Sequence, residues 1–306
     1  MIGARVLVTG SSGFVGAQLC ELLRSERVEV ATIDHGRLRH VEAVTDVLDT
    51  LQPTHIVHLA GISDGTGEDA TAYYEAHLLN TVRLLEAARL VSREARILLA
   101  SSSAVYGATT PEDSPLTEDR CLRPMTHYGT SKVAQEMAAL QYHLAHRLWT
   151  VRVRAFNVIG PGQPPHLLLS GMAQQIARAE RDGEPITVRV GNLATRRDYA
   201  DVRDVTRAYR LLLERGEAGA VYNVCTGRSV SGHECVELLA GLANGPIRVL
   251  QDEARMRAME VPDQIGEARR LVQATGWQPR IPLSQSVRDL LEAWRVQART
   301  ERGVVA

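Results

Sequence analysis

The sequence predicts an α/β protein with a Rossmann-like, doubly wound parallel sheet and a smaller, mixed α/β lobe in its C-terminal half. Short β-branched runs alternate with amphipathic helical patterns through the first half of the chain, which indicates βαβ units and a parallel sheet. A glycine-rich turn joins the first strand to the first helix, as in folds of this class. With 306 residues, the chain is long enough for one large core and an additional lobe.

The breaker cluster GPGQPP at 160–165 divides the chain into two expected domains, 1–160 and 161–306. The strands predicted in the first are Arg5–Thr9, Glu29–Ile33, His55–Leu59, Arg96–Ala100 and Val151–Ala155. Its helical patterns are Gln18–Leu23, Leu78–Val91 and a long helix from Gly129 to Leu148. The helices predicted in the second are Leu167–Arg181, Asp201–Arg215, Gly232–Leu242 and Leu283–Val296, followed by a frayed tail, Ala298–Ala306.

The bulk composition excludes several classes of function. The net charge is −1, which gives no electrostatic reason to expect nucleic acid or an anionic membrane as a partner. No apolar run is long enough to span a bilayer and no secretory leader is present, so a cytoplasmic location is expected. The four cysteines form no CxxC pair and have no histidines at metal spacing, which predicts neither disulfides nor a zinc site.

The segment TGSSGFVG at 9–16 follows the first strand and begins a helix. Gly10 permits a sharp turn, Gly13 permits close approach to a pyrophosphate, and Gly16 permits close helix–strand packing. The helix N-terminus adds N–H groups and the positive end of a dipole. The alternative is a plain strand-to-helix turn, but the context favours a dinucleotide site. The other residues expected to bind the cofactor here are Ser12, Phe14 and Val15.

Asp34 closes the second predicted strand, where a carboxylate accepts hydrogen bonds from the adenosine ribose and repels a 2′-phosphate. We therefore expect NAD as the cofactor. Arg37 and Arg39 follow closely and are alternative ligands for that phosphate, which leaves NADP possible. Asp46 and Val47 are expected to follow a short third strand and to touch the adenine.

The motif YGTSK at 128–132 places Tyr128 and Lys132 at i and i+4, on one face of a helix start. A phenol with a pKa of about 10 is a poor base at neutral pH, but a neighbouring ammonium favours the phenolate. Tyr128 can then exchange a proton with a carbonyl/alcohol pair. Lysine and arginine together number 35, and Lys132 is the one lysine among them, which argues against a chance pairing. Ser101–Ser103, after a predicted strand, offer the hydroxyl that would bind the substrate oxygen, or are turn formers.

These motifs together resemble the extended short-chain dehydrogenases/reductases that modify nucleotide sugars. The resemblance covers nearly the whole chain and is carried by TGSSGFVG, HLAG (58–61), SSSAVYG (101–107), YGTSK, RAFNVIGPG (154–162) and RRDYADVRDV (196–205). The segments LRPMTHYGTSK, VGNLATRRDYADVRDVTRAY, VYNVCTG and ATGWQPRIPL are most similar to the GDP-6-deoxy-4-keto-mannose reductases within it.

The resemblance implies roles for particular residues. Ser102 would be the catalytic hydroxyl beside Tyr128 and Lys132. The residues implied beside the cofactor are Leu59, Ala60, Gly61 and Ser101, and those implied beside the substrate are Ser103, Asn157, Arg197, Arg257 and Glu260. Arginine binds phosphate oxygens bidentately, so the two arginines would clamp the diphosphate; surface arginines are the alternative. Glu260 would meet a sugar hydroxyl or pair with an arginine.

Three departures from the family pattern bear on function. Sugar 4,6-dehydratases carry an Asp-Glu pair directly after the catalytic hydroxyl, where this chain has Ser103 and Ala104, so elimination is disfavoured. His77 and Asn80 replace the usual asparagine and glycine ahead of a helix threonine. Whether the helix is kinked there, as in the family, is left open by the sequence. His127 replaces a proline before the tyrosine and is either a second acid/base or a spacer.

The favoured function is NAD(P)H-dependent reduction of a nucleotide-linked 4-keto-6-deoxysugar, with a nucleotide-diphosphate sugar as substrate. A 4-epimerase with tightly bound NAD is the main alternative, and a non-catalytic nucleotide-sensing module is a remote one. A homodimer is also predicted, because two helices carry more apolar surface than one sheet face requires. Its residues are Leu78, Val82, Leu85 and Arg89, and Val133, Met137, Leu140, Leu144 and Leu148.

Overall fold

The computed structural model describes residues 1, 3–63, 69–256 and 261–303. The strands within these ranges are β1 (Arg5–Thr9), β2 (Glu29–Ile33), β3 (His55–His58), β4 (Arg96–Ser102), β5 (Thr150–Ala155), β6 (Asn157–Ile159), β7 (Thr187–Val190), β8 (Arg196–Asp201), β9 (Val221–Val224), β10 (Ser229–Ser231), β11 (Arg248–Gln251) and β12 (Asp263–Gln264).

The helices in the same ranges are α1 (Phe14–Ser25), α2 (Val41–Leu51), α3 (Ala70–Tyr74), α4 (Asn80–Val91), α5 (His127–His146), α6 (Leu168–Asp182), α7 (Val202–Arg215), α8 (Gly232–Ala240), α9 (Arg269–Thr275) and α10 (Leu283–Gly303). A π-helical turn, Glu75–Leu79, joins α3 to α4. No helix of the described residues is long and apolar enough to cross a membrane.

The main sheet is parallel and has the strand order β2-β1-β3-β4-β5-β9. Neighbouring residues of a strand point to opposite faces, so Val6 and Leu7 belong to two different cores. The first core lies under α1 and α7, and the second lies under α2, α4 and α5. Helices therefore cover both faces of the sheet, which confirms the predicted doubly wound α/β fold.

The C-terminal lobe is built around β8, which pairs with β6, β10 and β12, while β7 and β11 form a separate parallel pair. The helices α6, α8 and α10 enclose its core, which includes Trp294. The indole Nε1–H of Trp294 donates to Ser170 Oγ at 2.9 Å, so this buried polar atom is satisfied.

The predicted boundary at residue 160 needs correction. The strand β6 precedes that boundary but pairs with β8 in the lobe, whereas β9 follows it and forms the sixth strand of the main sheet. The helices α7 and α9 also pack on the main sheet. The chain thus crosses between the two units several times, because the last parallel strand needs a long crossover connection before it can pair with β5.

Two local predictions were wrong. Residues Asp46 and Val47 do not follow a third strand; they lie in the middle of α2, whose apolar residues Val44 and Leu48 face the core at helical spacing. No described strand lies outside β2, so β2 is the edge of the sheet on this side. The C-terminal helix α10 continues to Gly303, beyond the predicted onset of fraying at Ala298, which is buried.

Candidate active site

The turn after β1 has the geometry that its glycines predict. Gly10 has a φ of +69°, and a Cβ there would lie 2.7 Å from the backbone nitrogen of Ala60. A Cβ on Gly16 would lie 2.1 Å from the carbonyl oxygen of Gly10. Side chains at Gly10 and Gly16 would therefore collide with backbone, and these glycines permit the strand, the turn and α1 to pack closely.

The N-terminus of α1 is suited to a pyrophosphate. Its N-cap is Gly13, and no side chain caps the N–H groups of its first turn. Ser12 is exposed, while Phe14 and Val15 are half-buried at the start of the helix. Uncapped N–H groups at the positive end of a helix dipole attract anionic groups, so this cradle fits the diphosphate of NAD(P).

Asp34 directly follows β2 at the carboxyl end of the sheet, where its side chain is exposed. Its Oδ1 accepts the Gly36 N–H at 2.8 Å, which holds the carboxylate at the start of the following turn. Arg37 and Arg39 lie in that turn and are also exposed. Both the carboxylate and the arginines can therefore reach the ribose end of a cofactor lying along this edge.

Asp46 and Val47 do not share this edge. Within α2, Asp46 is exposed and Val47 is half-buried against the core of the sheet face. Because α2 begins seven residues after Asp34 and ends before β3, these two residues lie on a helix flank instead of a loop at the carboxyl edge. The structure therefore gives no support to the predicted adenine contact.

Leu59, Ala60 and Gly61 follow β3 and connect the glycine turn to the catalytic helix. The Ala60 N–H donates to Thr9 Oγ1 at 3.1 Å. On the other side, a Cβ on Gly61 would lie 3.8 Å from Lys132 Nζ. These residues thus lie between the diphosphate cradle and the lysine, where the middle of a dinucleotide would pass.

Lys132 is buried on α5, with 6% of its surface exposed. Its Nζ donates to the Ala100 carbonyl at 2.9 Å and to Gln135 Oε1 at 3.0 Å. Burial lowers the pKa of this amine to about 7, and the nearby Glu136 carboxylate opposes the shift. The site thus contains a largely desolvated amine whose charge changes near neutral pH.

Tyr128 lies in the first turn of α5, half-buried, one helical turn from Lys132. Thr126 caps this helix by accepting the Gly129 N–H at 3.0 Å, which fixes where the helix begins. The Tyr128 ring meets the rings of His77 and Tyr73 edge-on, with centroid separations of 5.5 and 6.1 Å. These contacts hold the phenol in one orientation.

Ser102 ends β4 beside the same helix. Its Oγ accepts the Ala104 N–H at 3.2 Å, and its side chain is half-buried. A Cβ on Gly129 would lie 2.8 Å from the Ala104 carbonyl oxygen, so the first turn of α5 packs directly on the turn after Ser102. The structure therefore brings Ser102, Tyr128 and Lys132 to one region at the carboxyl edge of the sheet.

The neighbouring serines have other partners. Ser101 donates to Glu136 Oε1 at 2.6 Å within the core. Ser103 is 3% exposed and donates to Gln264 Oε1 at 3.2 Å, while Gln264 Nε2 donates back to the Ser103 carbonyl at 3.0 Å. Ser103 thus joins the turn after β4 to the lobe strand β12, and the ligand contacts of both serines stay predictions.

Two predicted substrate residues lie on neighbouring lobe strands. Asn157 on β6 is in register with Tyr199 on β8. Tyr199 follows Arg197 by two residues, so these two side chains lie on the same face of β8. Arg197 Nη1 donates to the Val261 carbonyl at 2.8 Å. Arg257 and Glu260 lie outside the described residues, so their predicted roles are not addressed by the structure.

Sequence reasoning missed a chain of buried polar residues behind the site. Gln135 Nε2 donates to Thr81 Oγ1 at 2.9 Å, and Thr81 Oγ1 lies 2.9 Å from His58 Nε2. The other ring nitrogen of His58 lies 2.8 Å from Thr9 Oγ1. The available signal was local: Gln135 lies one helical turn after Lys132, and His58 directly precedes the cofactor loop.

Such a fold, with a glycine cradle and a serine, tyrosine and lysine at the sheet edge, is that of an NAD(P)-dependent α/β oxidoreductase. The chain belongs to the NAD dependent epimerase/dehydratase family, whose model matches residues 6–225.

Its relatives include nucleotide-sugar enzymes over their full length. The chain is 35% identical to GDP-6-deoxy-D-mannose reductase of Pseudomonas aeruginosa over 302 residues, which is 97% of this chain and 99% of that protein. It is 29% identical to GDP-6-deoxy-D-talose 4-dehydrogenase of Aggregatibacter actinomycetemcomitans, covering 94% of this chain and 96% of that protein.

Solved structures of similar fold contain either cofactor. The structure of RMD from Pseudomonas aeruginosa complexed with NADPH superposes with a TM-score of 0.89 at 34% identity, covering 96% of this chain and 99% of that one. The UDP-glucose 4-epimerase of Thermus thermophilus in complex with NAD superposes with a TM-score of 0.83 at 28% identity, covering 95% of this chain and 99% of that one.

The lowered pKa of Lys132 predicts how stability depends on pH. Between pH 7 and the ordinary value of 10.5, the folded protein holds fewer protons on this amine than the unfolded chain does. The cost of burying the charge is therefore complete at low pH and disappears as pH rises through this window. Without cofactor, Lys132→Met should melt at a higher temperature than the wild type at about pH 6, and this advantage should shrink toward about pH 9.5.

Thermal unfolding followed by circular dichroism at several pH values measures this difference. Arg248→Met, which removes an exposed cation on β11, is the matched control and should show a difference that does not change with pH. A difference for Lys132→Met that is equally flat would show that the amine is not desolvated.

Proposed function

We propose that this chain is an NAD(P)H-dependent reductase of a nucleotide-linked 4-keto-6-deoxysugar, similar in activity to a GDP-4-keto-6-deoxymannose reductase. The observation that supports it most is the position of the chain's one lysine, buried one helical turn from Tyr128 and beside the Ser102 turn. The full-length similarity to a GDP-6-deoxy-D-mannose reductase supports the substrate class.

The proposed chemistry divides the reduction between a proton and a hydride. When bound, the reduced nicotinamide supplies the hydride. Tyr128 donates the proton to the keto oxygen, and the Ser102 hydroxyl donates a hydrogen bond to the same oxygen. Lys132 favours the phenolate that remains on Tyr128 and holds the nicotinamide ribose, for which a compact ammonium is suited.

The substrate lobe supplies the proposed diphosphate site. Arg197 projects from the central lobe strand β8, and its guanidinium donates to the Val261 carbonyl, which directly follows residues 257–260. We propose that Arg197 and Arg257 clamp the diphosphate, with Asn157 binding in the same phosphate region and Glu260 meeting a sugar hydroxyl.

Elimination chemistry is not favoured by this site. A dehydratase needs an acid and a base after the catalytic hydroxyl, whereas Ser103 is buried against Gln264 and Ala104 carries no titratable group. A 4-epimerase is the second candidate, because UDP-glucose 4-epimerases are among the relatives at 29% identity over 95% of this chain. Net consumption of NAD(P)H with a 4-keto-6-deoxysugar distinguishes the two functions, since an epimerase regenerates its cofactor.

Replacing the proton donor should nearly abolish the reaction. We expect Tyr128→Phe and Lys132→Arg each to lower kcat by about 10²-fold or more. The first substitution removes the proton donor, and the second replaces the compact ammonium by a planar, rigid guanidinium group. The assay follows NAD(P)H absorbance with GDP-4-keto-6-deoxymannose. Tyr142→Phe, which changes a tyrosine near the end of the same helix, should keep wild-type turnover. Turnover of Tyr128→Phe within threefold of the wild type would remove this tyrosine from the mechanism.

Cofactor preference should depend on Asp34. If its carboxylate binds the ribose hydroxyls, Asp34→Ala should weaken NADH binding about tenfold, the value of one charged hydrogen bond, and shift the preference toward NADPH. Fluorescence titration with both cofactors measures this shift. A wild-type protein that already prefers NADPH would contradict NAD as the cofactor, and Arg37→Ala and Arg39→Ala would then identify the phosphate ligand.

We propose further that two copies associate through α4 and α5, which pack side by side. Leu144 is 70% exposed and Met137 is 43% exposed on α5, beside Leu79 at 41% and Leu90 at 54%. Such a surface favours an isologous four-helix contact. Part of the predicted apolar set does not contribute, because Leu85 and Leu148 are fully buried in the core of each chain.

A cytoplasmic location also stays a prediction.

Light scattering should give twice the 33.6 kDa mass of one chain at micromolar concentration. Leu144→Glu should shift this mass to that of a monomer, because it places charges at the centre of the contact. Val296→Glu, at a 59% exposed site on α10, is the control and should leave the mass unchanged. A monomeric wild-type protein would exclude the dimer.

A further inference from the structure

A buried histidine lies in the helical turn that precedes α4. His77 lies in the π-helical turn Glu75–Leu79 and is fully buried. The helix is therefore irregular at this point, although this chain lacks the usual asparagine and glycine there. A π-turn adds one residue to the helix and commonly marks a functional position. Here it directs the imidazole of His77 between the loop after β3 and the first turns of α5.

The imidazole contacts both sides of the cleft. Its Nε2 lies 3.1 Å from the Ile62 nitrogen and 3.0 Å from the Ile62 carbonyl oxygen. Its Nδ1 lies 2.8 Å from Ser131 Oγ. A Cβ on Gly61 would lie 2.6 Å from the ring, so the loop can approach His77 only because residue 61 is glycine.

The ring bonds both segments in either neutral tautomer. With the proton on Nδ1, Nδ1–H donates to Ser131 Oγ, whose own hydroxyl proton goes to the Tyr128 carbonyl at 2.8 Å, and Nε2 accepts the Ile62 N–H. With the proton on Nε2, Nε2–H donates to the Ile62 carbonyl, and Nδ1 accepts from the Ser131 hydroxyl. In both tautomers the imidazole joins the Ile62 backbone to Ser131.

We propose that His77 is a positioning residue that joins the loop after β3 to helix α5: Nε2 fixes the backbone of Ile62 beside Gly61, and Nδ1 fixes Ser131 one turn after Tyr128. This inference rests on the proposed function only for the role of Tyr128. The edge-on contact between the two rings adds a direct constraint on the phenol.

The surroundings keep the ring neutral. Burial lowers the pKa of His77 far below its ordinary value, and the Lys132 ammonium lowers it further. The other titratable groups that face the ring are His58 behind it and the phenols of Tyr73 and Tyr128. The neutral ring has one donor and one acceptor nitrogen, which match Ser131 and the Ile62 backbone.

Two conservative substitutions separate the two contacts. The amide of asparagine reaches the position of imidazole Nδ1, and the amide of glutamine reaches that of Nε2. His77→Asn therefore keeps the bond to Ser131 and loses the bond to Ile62, whereas His77→Gln does the reverse. Ser131→Ala removes the same bond as His77→Gln from the other side.

The expected results are opposite for the two variants. His77→Asn should raise the Kd for NADH, titrated by fluorescence without substrate, about tenfold and leave kcat within about threefold. His77→Gln should leave that Kd within about threefold and lower kcat about tenfold, as should Ser131→Ala. Equal effects of both variants on both constants, or none, would overturn the proposal.

The matched control is His143, near the C-terminal end of α5. Its Nδ1 also bonds a backbone carbonyl, that of Leu148 at 2.9 Å, and its ring also packs against a glycine, Gly219. His143→Gln, which loses this bond, should lower the melting temperature without changing Kd or kcat, which identifies the effect of losing a structural histidine.

Nitrogen-15 NMR of the histidine side chains tests the proposal without any turnover. His77 should show the shifts of one fixed neutral tautomer, and shifts averaged between the two tautomers would overturn it. Should Tyr128→Phe stay active, the proposed function would fail, yet the tautomer and the cofactor affinity of His77→Asn would still test the bond to Ile62.

Discussion

The burial of one ammonium group is the constraint on which the rest of the site depends. Removing a charge from water is costly, and the cost is tolerated only where hydrogen bonds and an opposite charge are provided. The Lys132 ammonium donates two hydrogen bonds, one to the Ala100 carbonyl near the end of β4 and one to Gln135 on its own helix. The opposite charge is Glu136, itself 1% exposed and held by a bidentate pair with Arg154 on β5. The position of α5 across β4 and β5 is therefore fixed by polar groups as well as by the apolar core.

The same requirement extends across the sheet to the cofactor cradle. Gln135 Oε1 accepts from Lys132, and its amide nitrogen donates to Thr81. Thr81 gives its own proton to the His77 carbonyl at 2.5 Å, so His58 donates to it through Nε2 and accepts from Thr9 through Nδ1. Thr9 in turn accepts the Ala60 N–H. Each member of this chain is bonded to the next, and a connected buried network of this kind favours a single arrangement of the glycine turn, the loop after β3 and helix α5.

How much of this could be predicted from the sequence depends on the range of the interaction. The close packing at Gly10 and Gly16 and the shared helix turn of Tyr128 and Lys132 were predictable, because they follow from spacing within one turn or one helix. The hydrogen bonds of Ser101 and Ser103 were not, because their partners, Glu136 and Gln264, are 35 and 161 residues away. Asp46 and Val47 were misplaced because a third strand was expected at that point of the fold. The helical spacing of Val44 and Leu48, visible in the sequence, would have indicated a helix there. The role of His77 was not predictable, since it depends on a π-turn and on contacts with two distant segments.

The two ends of the site differ in what holds them, and this difference bears on how one fold serves several reactions. The cofactor end is fixed by buried, mutually dependent hydrogen bonds, so a change at one member disturbs the others. The substrate end depends on β8, where Arg197 is held by backbone carbonyls and Asp198 accepts three bonds from the Thr226 and Gly227 turn. Backbone carbonyls impose little on side-chain identity, so side chains around β8 can change with less effect on the buried network at the sheet edge. The relatives matched over nearly the whole chain include a reductase, a 4-dehydrogenase and 4-epimerases, so one fold carries several reactions.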